Sequence, residues 1–134
     1  MNKDITSKKI IKRLIKTISS LFFNLETQNI ELIDKEFERI ESKRADILAL
    51  LDNNKILHLE IQTSYDKKMP LRMLRYYTDI KLFYDLPILQ SVIYLGKGNL
   101  KSELKDIGLK YSYNLIDMKK IDCELFLNQN YRKP

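Results

Sequence analysis

The stretch "RADILALLDNNKILHLEIQTS", residues 44–64, constrains the fold more than any other part of the chain. Two apolar-rich runs flank Asp52-Asn53-Asn54, which is the pattern of a β-hairpin closed by turn-forming residues. Along a strand successive side chains alternate faces. Leu57, Leu59 and Ile61 therefore point one way and His58, Glu60 and Gln62 the other. A solvated outer face accounts for that alternation without any function. A carboxylate and a carboxamide two residues apart, beside a strand that carries Asp46, also suit a site for a divalent cation held through oxygen ligands.

The hairpin register separates these readings. With a two-residue turn, Asn53-Asn54, Asp52 pairs with Lys55, and Asp46 falls opposite Ile61, pointing away from Glu60. With a three-residue loop, Leu51 pairs with Lys55 and Asp46 falls directly opposite Glu60. Three-residue loops end in a left-handed residue, a conformation Asn54 tolerates, and a bulge in either strand has the same effect on facing. Convergence of the two acids thus requires a three-residue loop or a bulge.

The rest of the chain surrounds the hairpin with helices and further strands. Ile10, Ile11, Leu14, Ile15, Ile18, Leu21, Phe22 and Leu25 recur at helical spacing, predicting an amphipathic helix over Ser7–Leu25. Its other face carries Lys9, Lys12, Arg13 and Lys16, either as a solvated face or as a contact for a polyanion. A short strand is expected around Ile30–Phe37. After Asp66, "MPLRMLRYYTDIKLFYD" returns to helical spacing, with Leu74, Tyr77, Ile80, Phe83 and Tyr84 on one side and Pro87 as the stop. "ILQSVIYLG" reads as a strand buried on both faces. A short helix over Lys101–Asp106, a strand in "LKYSYNLIDM" and a final helix over Cys123–Asn128, capped by Asp122, complete the pattern. The order is α-β-β-β-α-β followed by a β-α tail, an α/β fold with a mixed central sheet flanked by helices.

The length of 134 residues suits a single domain, 1–134. Cys123 and His58 are the only cysteine and histidine, so neither an internal disulfide nor a four-ligand Cys/His zinc site is available. Cys123 reads as a small buried apolar residue. The formal charge of +6 is consistent with a polyanionic partner such as DNA. No apolar run approaches the roughly 18 residues of a membrane span, and a cytoplasmic setting with no membrane partner is expected.

In combination, Arg44-Ala45-Asp46, Leu59-Glu60-Ile61-Gln62, Asp66, Met69-Pro70, Arg72-Met73-Leu74 and Tyr76-Tyr77 resemble the Rpn-type recombination-promoting nucleases, also labelled PD-(D/E)XK nuclease family transposases. The similarity runs from about Arg44 to Leu127; the N-terminal helix, with Asp4 and Lys8, fits more loosely. Members of that family continue further than "CELFLNQNYRKP", so a shortened relative is expected. The resemblance implies a restriction-endonuclease-like core and Mg²⁺- or Mn²⁺-dependent DNA cleavage with low sequence specificity, linked to recombination or transposition. It implies Asp46 and Glu60 as metal ligands, with the Ile61 main-chain carbonyl as a third oxygen. Gln62 stands where the wider superfamily has lysine, as it does in the Rpn-type group. A glutamine orients water or phosphate through hydrogen bonds but supplies no charge. The additional acid that the superfamily often carries on its first helix is absent from Ser7–Leu25. Its role is vacant or passes to Glu36, Glu38 or Glu41, with Glu36 first among the three.

Lys9, Lys12, Arg13 and Lys16, with Lys67, Lys68 and Arg72, are the expected contacts to the DNA backbone. For Arg72 the rival is an ion pair with Asp66. His58 reads as a half-buried histidine with one structural hydrogen bond, the alternative being that it orders water or phosphate. Tyr76 and Tyr77 read as core and rim packing. The competing function is a nuclease-fold module that no longer cuts and binds DNA or a protein. A homodimer is the assembly that double-strand cleavage favours.

Overall fold

The hairpin forms as its residues require. In the computed structural model, which describes residues 3–33 and 46–121, β2 spans Ile47–Leu51 and β3 spans Lys55–Gln62, antiparallel and paired Leu51 to Lys55 through Ile47 to Leu59. Three residues separate the strands, so Asp46, one step before Ile47, lies opposite Glu60. The left-handed residues are Asp52 (φ 49°) and Asn53 (φ 59°) rather than Asn54. They are the central pair of a mirror-image turn closed by the Asn54 N–H to the Leu51 carbonyl at 3.0 Å. Asp52 is drawn into that conformation by its own side chain. Its Oδ1 accepts the N–H groups of Gln28 at 2.9 Å and Asn29 at 2.7 Å, tying the turn to the strand β1 that follows, Ile30–Leu32.

Helix α1 runs Lys3–Phe23 and ends where Asn24 takes φ 54°, with the Leu25 N–H returning to the Ser19 carbonyl at 3.0 Å. It starts earlier and stops two residues sooner than its apolar spacing predicted. Ile15 and Ile18 are fully buried against Leu57, Leu59, Ile93 and Ile116, with Ile11, Leu14 and Phe22 beside them. Ile10 and Leu21 lie off this stripe and are exposed, because eleven residues of helix bring them back to one common flank. Burying Ile15 and Ile18 contributes about 1.5–3 kcal/mol each.

Helix α2, Met69–Phe83, connects β3 to β4, Ile88–Tyr94, and the two strands pair in parallel from Ile56–Ile88 to Gln62–Tyr94. This crossover lays α2 on the face of β3 opposite α1. Its buried residues are Met69, Pro70, Met73, Tyr76, Asp79 and Ile80, so the core stripe is turned by one position from the Leu74–Tyr77–Phe83 side; Phe83 is exposed. Strand β4 is buried through Gln90–Tyr94, as its apolar run predicted.

Beyond β4 the expected helix over Lys101–Asp106 is replaced by a strand. β5, Glu103–Asp106, and β6, Leu109–Ser112, form a separate antiparallel hairpin turning at Ile107-Gly108, where Gly108 takes φ 78°. The turn chemistry of Asp-Ile-Gly outweighs the weak helical pattern of so short a segment. The expected single strand in "LKYSYNLIDM" is also divided. Its second half, β7 (Asn114–Asp117), leaves β6 at Tyr113 and pairs in parallel with β4. The main sheet has the order β1-β2-β3-β4-β7, mixed and five-stranded, with α1 on one face and α2 with the β5–β6 hairpin on the other. Among the described residues no helix is long and apolar enough to cross a membrane. The rest of the expected strand to Phe37, the acids Glu36, Glu38 and Glu41, and the final helix with Asp122 and Cys123 lie outside the described residues.

Candidate functional site

The end of the β2–β3 ladder gathers the titratable groups. Asp46 and Glu60 are held together by two hydrogen bonds: the Asp46 N–H donates to Glu60 Oε2 at 2.7 Å, and the Ile61 N–H donates to Asp46 Oδ2 at 2.9 Å. The second oxygens, Asp46 Oδ1 and Glu60 Oε1, take no hydrogen bond among the described residues. Glu60 is 4% exposed, whereas Asp46 sits at the rim. The Leu95 N–H bonds the Gln62 carbonyl on the β4 side. Alternation therefore turns the Ile61 carbonyl toward the β2 side, where its own N–H meets Asp46.

Electrostatically the pair is only partly relieved. Burial pushes the Asp46 carboxyl up from its ordinary range, and the charge of Glu60 adds to that. The Ile61 N–H and, more weakly, the Arg72 charge pull the other way. Two carboxylates side by side, each with one oxygen to spare, favour a cation between them. Mg²⁺ takes hard oxygen ligands and retains several waters, so two carboxylates with a carbonyl suit it. Among the described residues no third His, Cys, Asp or Glu joins them as a ready cluster.

His58 is fully buried rather than half-buried, and has a partner on each ring nitrogen. Nε2 lies 2.8 Å from Glu60 Oε2 and Nδ1 lies 3.0 Å from Gln90 Nε2. The same Gln90 nitrogen donates to the Met73 carbonyl at 2.9 Å, and Gln90 Oε1 accepts the Tyr111 hydroxyl at 2.5 Å. Tyr76 packs edge-on against the His58 ring, with centroids 4.9 Å apart. The His58–Glu60 face of β3 is therefore a covered polar layer under α2, which removes the reading of a solvated face. Gln90 and Tyr111 were not singled out by sequence. The available signal was a carboxamide inside the apolar run "ILQSVIYL", since a polar residue in a buried strand needs a partner.

The remaining expected residues are placed less uniformly. Gln62 donates its carboxamide N–H to the Ser64 carbonyl at 2.8 Å, with no hydrogen bond to either carboxylate. Arg72 makes the ion pair with Asp66, Nη1 to Oδ2 at 2.9 Å, both side chains partly exposed. Burial opposes the Arg72 charge, but the bonds to Asp66 and Tyr76 outweigh it and raise its pKa. Lys67 and Lys68 are exposed just ahead of α2. Lys9, Lys12, Arg13 and Lys16 are exposed on α1, across the sheet from α2. The two basic groups thus lie on opposite layers. A cleft of about 940 Å³ beside β1 has Lys8, Lys12 and Asp46 in its lining, so of the α1 group Lys12 shares it with Asp46.

No family model matches the sequence, and no curated protein or solved structure matches it either.

Proposed function

We propose that this protein is a metal-dependent DNA endonuclease of the PD-(D/E)XK type, with a restriction-endonuclease-like core and a role in recombination or transposition. The observation that carries the reading is the register: a three-residue loop sets Asp46 opposite a buried Glu60, each with one oxygen that takes no hydrogen bond among the described residues. Asp46, Glu60 and the Ile61 carbonyl would hold Mg²⁺ or Mn²⁺. When bound, such an ion polarises a phosphodiester, helps generate hydroxide and offsets the charge that develops. The chain's own residues do the rest. The Asp46 N–H holds Glu60 and the Ile61 N–H holds Asp46, Gln62 stands at the rim to orient water, and Lys12, Lys67 and Lys68 attract the backbone of the substrate without reading its sequence.

Supercoiled plasmid incubated with Mg²⁺, Mn²⁺ or EDTA, beside Asp46→Ala and Glu60→Ala proteins, tests this. Cutting that needs the metal and is lost in both variants supports the reading. Cutting that survives both substitutions sinks it.

The second reading is a module that binds DNA or a protein without cleaving it. It is favoured by Gln62, whose carboxamide is engaged by Ser64, and by the division of basic side chains between two layers. A folded wild type that leaves plasmid intact in every metal but binds DNA with a salt-dependent affinity would select it.

A further inference from the structure

We infer that His58, Gln90 and Tyr111 form a relay that positions the Glu60 carboxylate, and so ties metal affinity at the acidic pair to the β5–β6 hairpin. The inference rests on the proposed metal role of Asp46 and Glu60.

The direction of each hydrogen bond follows from what its partners can do. The Met73 carbonyl only accepts, so the Gln90 amide nitrogen must lie beside it, at 2.9 Å. The same NH₂ group faces His58 Nδ1 at 3.0 Å, which makes Nδ1 an acceptor and puts the ring proton on Nε2. That N–H points at Glu60 Oε2, 2.8 Å away. At the other end, the Gln90 oxygen accepts from Tyr111, which belongs to the separate β5–β6 sheet. The Tyr111 hydroxyl, one Gln90 N–H and the His58 ring N–H each point along the chain toward Glu60, while the other Gln90 N–H fixes the amide on the Met73 carbonyl.

The location makes this more than packing. His58 is 0%, Glu60 4% and Gln90 6% exposed, so none of these three has bulk water to replace a missing partner. Apolar side chains filling the same layer would avoid the desolvation cost of three polar groups. What the polar set adds is orientation. With Oε2 occupied by the Asp46 N–H and the imidazole, the Glu60 carboxylate cannot rotate freely, and Oε1 is left as the unbonded oxygen. Groups that hold a metal ligand in this way change affinity without touching the ion.

His58 is the chain's single histidine, so its ring can be read directly. Long-range ¹H–¹⁵N correlation on the full chain with labelled histidine is expected to show the Nε2–H tautomer, and Tyr111→Phe to perturb the ring signals although it removes one oxygen far from the acids. Mn²⁺ affinity, measured by calorimetry with the metal alone, is expected to fall about tenfold in His58→Phe. His58→Gln, which can still donate an N–H to Glu60, should recover part of the loss. An Nδ1–H tautomer in the wild type, or a folded His58→Phe protein that binds Mn²⁺ as tightly as the wild type, overturns the relay. If His58→Phe does not fold, unchanged ring signals and unchanged Mn²⁺ affinity in Tyr111→Phe overturn it instead. A wild type that binds no Mn²⁺ overturns the metal reading itself, and the relay's positioning role with it, whatever the tautomer.

Discussion

Asp46 and Glu60, fourteen residues apart, share a bond in which the backbone of one meets the side chain of the other: the Asp46 N–H reaches Glu60 Oε2 at 2.7 Å. Pairing of this kind orients two like charges but does not neutralise them. The cost falls on Asp46, whose carboxyl is pushed upward by burial first and by Glu60 second among the causes that raise it.

A group whose folded pKa is raised holds its proton more tightly in the folded state. Its ionisation therefore removes stability as pH rises through the window above the ordinary carboxyl value. Asp46→Asn keeps an acceptor for the Ile61 N–H and removes the charge. It should be more stable than the wild type at neutral pH by up to about 0.5 kcal/mol, a small figure because the side chain sits at the rim and is only partly withdrawn from water. The gain should vanish below about pH 3, where both proteins are neutral at this position. Thermal melts across pH check it, and an equal difference at every pH would refute the charge argument. On the proposed function, millimolar Mg²⁺ raises the Tm of the wild type but not of Asp46→Asn.

Asp117 has the opposite sign. The Lys119 ammonium, 2.9 Å from Oδ1, holds its carboxyl below the usual range. Its contribution is present above the ordinary carboxyl pKa and is lost as pH falls. Lys119→Met should therefore lower stability at pH 7 and flatten the acid limb of the stability curve. An acid limb identical to that of the wild type would count against the pair.

The hairpin turn is the most exacting local element. Asp52→Ala loses two N–H bonds from Gln28 and Asn29 and places an alanine at φ 49°. The expected loss is about 2 kcal/mol in urea unfolding. Asp52→Gly keeps the conformation and should cost about half as much. If glycine proves the worse of the two, backbone conformation is not what Asp52 supplies.

Gly96 touches the ring of Tyr94. A Cβ there would lie 2.7–2.8 Å from Tyr94 Cε1, Cζ and the hydroxyl oxygen. Tyr94 cannot yield easily, because it is fully buried, bonded to the Lys97 carbonyl and covered by the Lys119 ammonium 4.6 Å from its ring centre. Gly96→Ala is expected to destabilise by about 1–3 kcal/mol. A melting temperature equal to the wild type's would show that the loop relaxes.

Alkaline titration reports on the β5–β6 layer. Burial raises the phenols of Tyr111 and Tyr113 well above their ordinary value, with the neighbouring Tyr113 and Tyr77 adding to the first and Asp66 to the second. Their contribution is intact below about pH 10 and lost as pH rises further. Phenolate absorbance should show Tyr111 and Tyr113 resisting ionisation until the protein unfolds. Tyr111→Phe should remove one tyrosine from the resisting set.

The elements legible in the residues alone are local ones. Alternation around Asp52-Asn53-Asn54 specified both strands of the hairpin, and a three-residue separation was enough to bring Asp46 opposite Glu60. The two long helices followed from apolar spacing, because a full stripe over several turns has few other uses. Tertiary structure decided what depended on distant partners. It selected Met73–Tyr76–Ile80 as the buried stripe of α2, since only the sheet says which side it covers. It turned the Lys101–Asp106 segment into a strand, because β6 was there to pair with it. It split "LKYSYNLIDM" between two sheets, and it buried His58 by laying a crossover helix on a face that alternation alone left open to solvent. The polar relay follows the same rule. Glu60 is two residues from His58, but Gln90 is thirty-two away and reaches it only through parallel pairing of β3 with β4, for which a strand's own residues carry no register signal.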